Sequence, residues 1–583
     1  MASLDVLFTA AAYAAYFIVP WFLLLGCFRL LFHPLRSYPG PLFAKLTDAY
    51  GGYFAIRKCL HLATYQNFQI YGPVVRQAPN RLVFNTVTAL QDIYLNPRVA
   101  KGHAYKRSQL RAKYPSIINV IDKDQHRRKR KFIGQALTER SMRAFEPTMI
   151  SQIDVFLQLL LASSQNGSYV DMTDRCQRLG VDVVGLLAFG YPFKTQNEDN
   201  YGFLISVIDA MSWRISTYMQ FSPVSRFENL FSVLGARHVI KFGNTVQTMI
   251  RTRMAQDKDA HHDLYSIMAD YIGKGQEGLY RGELWPEAIL FIMAGAQSSF
   301  TSQYCHPVIF NFIWGPLDSL KSHYSPQYLC IIRTKNPVTG GTTTASAMSA
   351  LFFYLSRNPT CYATLADEIR STFSTGSEIR SGSQLNSCKY LRACIDEALR
   401  MSPPSLTSLW REQDAGDDSG EPFVVDGHVI PRGTQVAVSL YSLLHNEEYF
   451  PDPFTFNPER WLESPEASAG DSSGENQDAR ATMRKAFVPF LIGDRSCAGK
   501  SMAYMEASLT IARTLWFFDF EVAPGKAGEV GGGNAGRTDG RGRPDEFQLD
   551  DIFVAAHRGP NLVFHPRGDY WKVLLYNKYT TKQ

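Results

Sequence analysis

Between Val6 and Phe28 the chain carries no charged residue. About 20 apolar residues suffice for a helix to cross the hydrocarbon core of a bilayer. Bulky Trp21, Phe22 and Leu23 fill the end of the run and no basic residue precedes it, which favours an uncleaved anchor over a secretory leader. Only Asp5 stands ahead of the run, while Arg29, Arg36 and Lys45 follow, so the positive-inside rule puts the rest of the chain in the cytosol. The pattern predicts one transmembrane helix within residues 1–32. Pro34, Pro39 and Pro41 then fix φ and remove donors, and residues 33–47 read as a stiff connector to a body spanning 48–583.

Through that body apolar residues recur at helical spacing in Met149 to Leu161, Val181 to Phe189, Met348 to Leu355 and Ala503 to Phe518. Strand candidates are few and short: Val74 to Arg76, Arg81 to Phe84, Val429-Ile430 and Gln435 to Val438. The expected class is mainly α with small β-sheets (α+β). Ser464 to Thr482, and Pro524 to Asp545 with its Gly531-Gly532-Gly533, read as solvated loops.

Charge and cysteine content narrow the chemistry. The formal net charge is +6, from 60 basic and 54 acidic residues, and the basic residues form no stripe of the kind nucleic acid needs. The nine cysteines are scattered, with no CxxC pair and no CxxCH, which suits a reducing compartment. It argues against a disulfide framework, structural zinc, iron–sulfur clusters and covalently attached haem.

One cysteine stands apart. Phe490-Leu491-Ile492-Gly493-Asp494-Arg495-Ser496-Cys497-Ala498-Gly499 matches FxxGxRxCxG at every fixed position. This segment resembles the haem-binding loop of the cytochrome P-450 superfamily. The residue types fit the chemistry, because a thiolate pushes electron density toward iron-bound oxygen and favours O–O cleavage. Glycines at 493 and 499 let the backbone approach the porphyrin and turn N–H groups toward the sulfur. The resemblance implies a cytochrome P-450 fold, heme b (iron protoporphyrin IX) with Cys497 as the axial ligand of its iron, and a monooxygenase reaction fed by an NADPH-cytochrome reductase. It implies that Arg495 pairs with a haem propionate and that Phe490 packs on the proximal face. It also implies a single-pass protein of the endoplasmic reticulum membrane with its catalytic domain in the cytosol.

Glu397-Ala398-Leu399-Arg400 alone would be an ordinary exposed pair at i, i+3 spacing. Beside Phe456-Asn457-Pro458-Glu459-Arg460-Trp461, which resembles the family's PERF element, the expectation is a buried triad of Glu397, Arg400 and Arg460 that locks the thiolate loop. Asp124 to Lys131 reads either as a solvated basic helix face or, by resemblance to the family's WxxxR helix with His in the Trp position, as a source of propionate ligands. The second reading takes His126 and Arg130, at i, i+4, as those ligands. Arg127, Arg128, Lys129 and Lys131 would then face outward toward an acidic reductase.

The family's distal helix, which carries an acid and a Thr that deliver protons, resembles two separate pieces: Glu287 to Gly295 and Gly341 to Leu355. Residues 296–340 hold Pro307, Trp314-Gly315-Pro316, Pro326 and Pro337 without sustained periodicity, and read as a translated intron or an insertion. Joined across that gap, Thr342 takes the acid position and Thr343 the oxygen-activating one. A looser register through Ala294 to Ser299 puts Gln297 there instead. Neither is a carboxylate, which leaves hydroxylation, oxidative cyclisation and desaturation all open. The resemblance is closest to fungal microsomal members of secondary metabolism and implies a lipophilic small-molecule substrate. Substrate would meet residues around Ile117 to Val120, Ile205 to Met219, Ser405 to Leu409 and Ala555 to Arg558, although any one of these would serve equally as core. Two rivals remain: a haem protein impaired by a broken distal helix, and a membrane-bound scaffold without haem.

Overall fold

The computed structural model describes residues 5, 16–17, 19–109, 113–228, 236–272, 280–295, 343–462 and 474–575. The helices that carry the site are α1 (Lys123–Ala136), α2 (Glu139–Gln165), α3 (Met172–Phe189), α4 (Gly202–Gln220), α5 (Leu284–Gly295), α6 (Thr343–Arg357), α7 (Lys389–Met401) and α8 (Lys500–Phe517). Local side chains start several of them. Asp122, Thr138 and Asp171 cap α1, α2 and α3 by accepting from the N–H groups of Gln125, Ser141 and Thr173. α3 stops at Gly190, whose φ of 56° is left-handed.

The strands are β1 (Val74–Ala78), β2 (Arg81–Phe84), β3 (Val99–Lys101), β4 (Val170–Asp171), β5 (Arg411–Gln413), β6 (Val424–Val425), β7 (His428–Val429), β8 (Gln435–Val438), β9 (Phe518–Val522) and β10 (Asn561–Pro566). They form sheets of order β1-β2-β8-β5-β3, β4-β10-β9 and β6-β7. β2 and β8 run parallel, with Arg81 opposite Gln435 and Phe84 opposite Val438. The expected strands are present, the third shifted by one residue, and the helix expected to reach Phe518 stops one residue earlier, where β9 begins.

α3 is the spine of the core. α5 and α6 both pack along it and touch each other, and α6 also packs on α7 and α8. Every residue from Ala345 to Leu355 is buried, as the continuous apolar run requires. The two halves expected of one distal helix therefore rest on the same support and touch each other. The suspected insertion, with Gln297 and Thr342, lies outside the described residues.

The mainly α class with small sheets holds, but the expected anchor does not. Among the described residues no helix is long and apolar enough to cross a membrane. This corrects the transmembrane helix placed in 1–32, the membrane as partner, and the single-pass endoplasmic-reticulum topology. Of this segment the structure describes residues 5, 16–17 and 19–32. Its end is tied to the body, since the Arg29 guanidinium donates to the Leu46 carbonyl and Arg76 donates to the Arg29 carbonyl at 3.1 Å.

The connector and the two polar loops take defined places. The connector is docked on β1, with the Arg76 N–H donating to Pro39 at 2.8 Å and Leu35 fully buried. Part of the first polar loop is helical, Gly474–Ala486, because strong helix formers such as Glu475, Ala479, Arg480 and Met483 follow its Ser/Gly-rich start. The second polar loop is packed: Gly533 and Asn534 donate to Arg543 and Arg541 at 2.8 and 2.9 Å. Its glycines serve close approach, since a Cβ on Gly532 would stand 2.3 Å from the Pro544 carbonyl.

Candidate active site

The loop before α8 is wound tightly around Cys497. Its N–H donates to the Phe490 carbonyl at 2.9 Å, and the Ser496 N–H donates to Gly493 at 3.0 Å. Gly493 has φ of 75°, and a Cβ there would meet the Tyr94 carbonyl oxygen at 2.2 Å, so only glycine fits. The thiol is accessible yet has protein on most sides. Burial pushes its pKa up, while the Gly499 N–H and the charges of Arg130 and Lys500 pull the other way. Phe490 packs against Tyr504, with ring centroids 5.2 Å apart.

Cations crowd the region beside this loop. His126 and Arg130 lie on α1, Arg495 on the loop, Lys101 on β3 and Arg411 on β5. The Arg130 guanidinium donates to the Ser496 carbonyl. Arg495 donates to the carbonyls of Val120 and Ile121 at 3.4 and 3.3 Å, and the Lys101 ammonium to those of Ile117 and Ile118 at 2.8 and 2.7 Å. Burial and then the neighbouring cations, Arg411 for Arg495 and Arg495 for Lys101, push these groups down, Arg495 to about 10 and Lys101 well below its usual range. His126 falls to about 2 from burial, Arg495, Lys101, Arg130 and Arg411. Opposing acids contribute less: Glu287 toward Lys101, and Asp494 and Asp122 toward Arg495. Buried like charges are costly without a counter-ion, and each guanidinium or ammonium has more donors than these carbonyls occupy. This cluster suits a ligand that carries carboxylates, and with Cys497 nearby the residues fit a haem. Sequence reasoning missed Lys101 and Arg411, which no local motif marks.

The outward charges expected on α1 are half right. Arg127 and Lys131 are exposed. Lys129 instead points inward, its side chain 1% exposed, with Nζ 2.9 Å from Glu287 and 3.1 Å from Glu283, and Arg128 pairs with Glu283 at 2.8 Å. The Ile117 N–H donates to Glu287 at 3.3 Å, so α1, α5 and the 117–121 segment are interlocked.

Glu397, Arg400 and Arg460 meet as a buried triad. Arg400 donates to Glu397 through Nε and Nη2, both at 2.9 Å, and to the carbonyls of Leu444 and Pro453 at 2.9 and 2.8 Å. Arg460 Nε, Trp461 Nε1 and the Asn457 N–H donate to the same carboxylate at 3.0, 3.0 and 3.1 Å. Against the thiolate loop lies a groove of about 960 Å³, bordered by Phe487, Leu491 and the basic Lys389, Arg392, Arg484 and Lys500.

On the distal side Thr343 opens α6 and is half-buried. α5 and α6 are regular helices, so among the described residues nothing supports the rival reading of a broken distal helix. Ser216 on α4 lies 3.3 Å from Thr407, whose hydroxyl donates to Asp551, which joins two of the expected substrate segments to the C-terminal region.

A sequence model of the family described as "Cytochrome P450" matches residues 39–305 and 334–530. The chain is 32% identical over 550 residues to the cytochrome P450 monooxygenase poxM of Penicillium oxalicum, covering 92% of this chain and 91% of that protein. It is 30% identical over 573 residues to the cytochrome P450 monooxygenase AKT7 of Alternaria alternata, covering 96% and 98%. To the cytochrome P450 monooxygenase atnE of Emericella nidulans it is 29% identical over 556 residues, covering 92% and 93%.

Proposed function

The chain belongs to the cytochrome P450 family and is a haem-thiolate monooxygenase, and from that premise we propose the part each residue plays. Heme b, when bound, would supply the oxygen chemistry, for which an electron-rich thiolate ligand favours O–O cleavage. Cys497 would supply that thiolate, with the Gly499 N–H directed at its sulfur and Phe490 of the same loop packed on Tyr504. His126, Arg130 and Arg495, joined by Lys101 and Arg411, hold the two propionates. Thr343 Oγ1, with Thr342 before it, passes protons in the distal pocket; neither hydroxyl is an acid, so water must replenish them. Glu397, Arg400 and Arg460 hold the thiolate loop in place.

The electron donor is an NADPH-cytochrome reductase. Its acidic surface would meet the groove with Lys389, Arg392, Arg484 and Lys500 rather than the face of α1, where Arg128 and Lys129 are already paired. The substrate is a lipophilic small molecule of fungal secondary metabolism, hydroxylated or oxidatively cyclised or desaturated. The family match skips 306–333, which supports reading 296–340 as inserted or unspliced.

The crowd of cations beside Cys497 is the observation that carries this reading. Its test is reconstitution of the apo-protein with haem and with haem dimethyl ester, whose carboxylates are blocked. The ester should bind at least about tenfold more weakly, the equivalent of about 1.4 kcal/mol. Equal affinity would mean that these cations serve something else.

A further inference from the structure

Ser346 lies one turn beyond Thr343 on α6 and is fully buried. Its Oγ stands 3.1 Å from His557 Nε2 and 3.3 Å from the Ala555 carbonyl oxygen. On the far side of the ring, His557 Nδ1 stands 2.8 Å from Oγ1 of Thr173, in the first turn of α3, and that hydroxyl donates to the Gly559 carbonyl at 2.6 Å. A hydroxyl has one proton to give, and Gly559 takes that of Thr173. Nδ1 then carries the imidazole proton and donates to Thr173, and Nε2 accepts from Ser346 when that hydroxyl turns to the ring at 3.1 Å instead of to the Ala555 carbonyl at 3.3 Å. Burial pushes the His557 pKa down to about 3, so the ring stays neutral in this tautomer at physiological pH.

The turn that bears His557 is bound on other sides as well. Asp550 and Ala556 exchange backbone hydrogen bonds at 2.7 and 2.9 Å, and the Ala555 N–H donates to the Pro404 carbonyl at 2.7 Å. One buried imidazole thus connects α6, α3, the 552–557 turn and, through that turn, the segment after α7. The chain of hydrogen bonds ends on the Gly559 carbonyl, which has no proton to pass on.

We propose that His557 is a positioning residue that holds the 552–557 turn against the distal helix and so sets the pocket wall beside Thr343. This rests on the reading above that α6 borders the reacting site. His557 itself is buried and does not touch substrate; its effect is on where bound molecules sit.

The test uses full-length holoenzyme and its His557→Leu, His557→Gln and Ser346→Ala variants. Each is titrated with imidazole and with 4-phenylimidazole, followed by the Soret shift, and its reduced carbon monoxide spectrum reports thiolate ligation. His557→Leu and Ser346→Ala should shift the 4-phenylimidazole constant by roughly fivefold, the effect of about one hydrogen bond, and the imidazole constant by less than about twofold. Gln offers a donor and an acceptor end and should restore the native value. Equal shifts for both probes, or an unchanged 4-phenylimidazole constant in both disrupting variants, would overturn the proposal. Should His557→Leu fail to load haem, Ser346→Ala decides by itself. A wild-type protein without a thiolate band would refute the haem-thiolate reading instead.

Discussion

Replacing Glu397 by Gln keeps the shape of the side chain and removes the charge that two guanidiniums share. Both carboxylate oxygens are surrounded by donors: Arg400 Nη2, Arg460 Nε and the Asn457 N–H around Oε1, and Arg400 Nε and Trp461 Nε1 around Oε2. Whichever way the amide turns, its NH₂ faces donors and leaves them unpaired. Arg400 and Glu397 side chains are wholly buried, so water cannot replace the lost partner. Breaking such a buried pair costs roughly 3–5 kcal/mol, against about 0–1 kcal/mol for an exposed one. Urea unfolding of the holoenzyme, followed by tryptophan fluorescence and the Soret band, should show that larger loss for Glu397→Gln. Arg460→Leu should cost less than Arg400→Leu, because Arg400 also binds the carbonyls of Leu444 and Pro453. A loss below about 1 kcal/mol for Glu397→Gln would refute the triad as the lock of the thiolate loop.

Gly493→Ala should abolish most haem loading, because its Cβ collides with the Tyr94 carbonyl as well as straining a left-handed φ; a normal haem-to-protein ratio would show that the loop can move aside. Glu506 is buried on α8 and desolvation raises its pKa to about 8. The unfolded chain therefore releases this proton first, and stability should fall by about 1.4 kcal/mol per pH unit between roughly pH 5 and 8. Glu506→Gln should remove that slope in pH-dependent urea melts, and an unchanged slope would assign the pH dependence to other groups. Deleting 296–340 should raise both melting temperature and coupled NADPH consumption. Loss of haem from the deletion, with an active full chain, would make the segment a functional insertion.

What the sequence displayed best was local. The thiolate loop is ten contiguous residues, and ExxR with its PERF partner names three side chains that do meet. The cations Lys101 and Arg411 carry no local signal because they come from short strands more than 300 residues apart, and only the tertiary fold sets them beside Arg495. Lys129 was misread because a run of charges on one helix does not say which face is covered; the acids that bury it, Glu283 and Glu287, lie far downstream. The anchor and the second polar loop were misread for a related reason. Composition suggests an environment, but Arg29 and Gly532 acquire their roles from partners in other segments.

The most direct test of the central claim is the reduced carbon monoxide difference spectrum of the full-length protein beside that of Cys497→Ala. Ligation by Cys497 predicts a thiolate band from the native chain, and loss of both that band and turnover from the variant. A Cys497→Ala protein that keeps the band, or a native chain that binds haem without ever showing it, would contradict the claim.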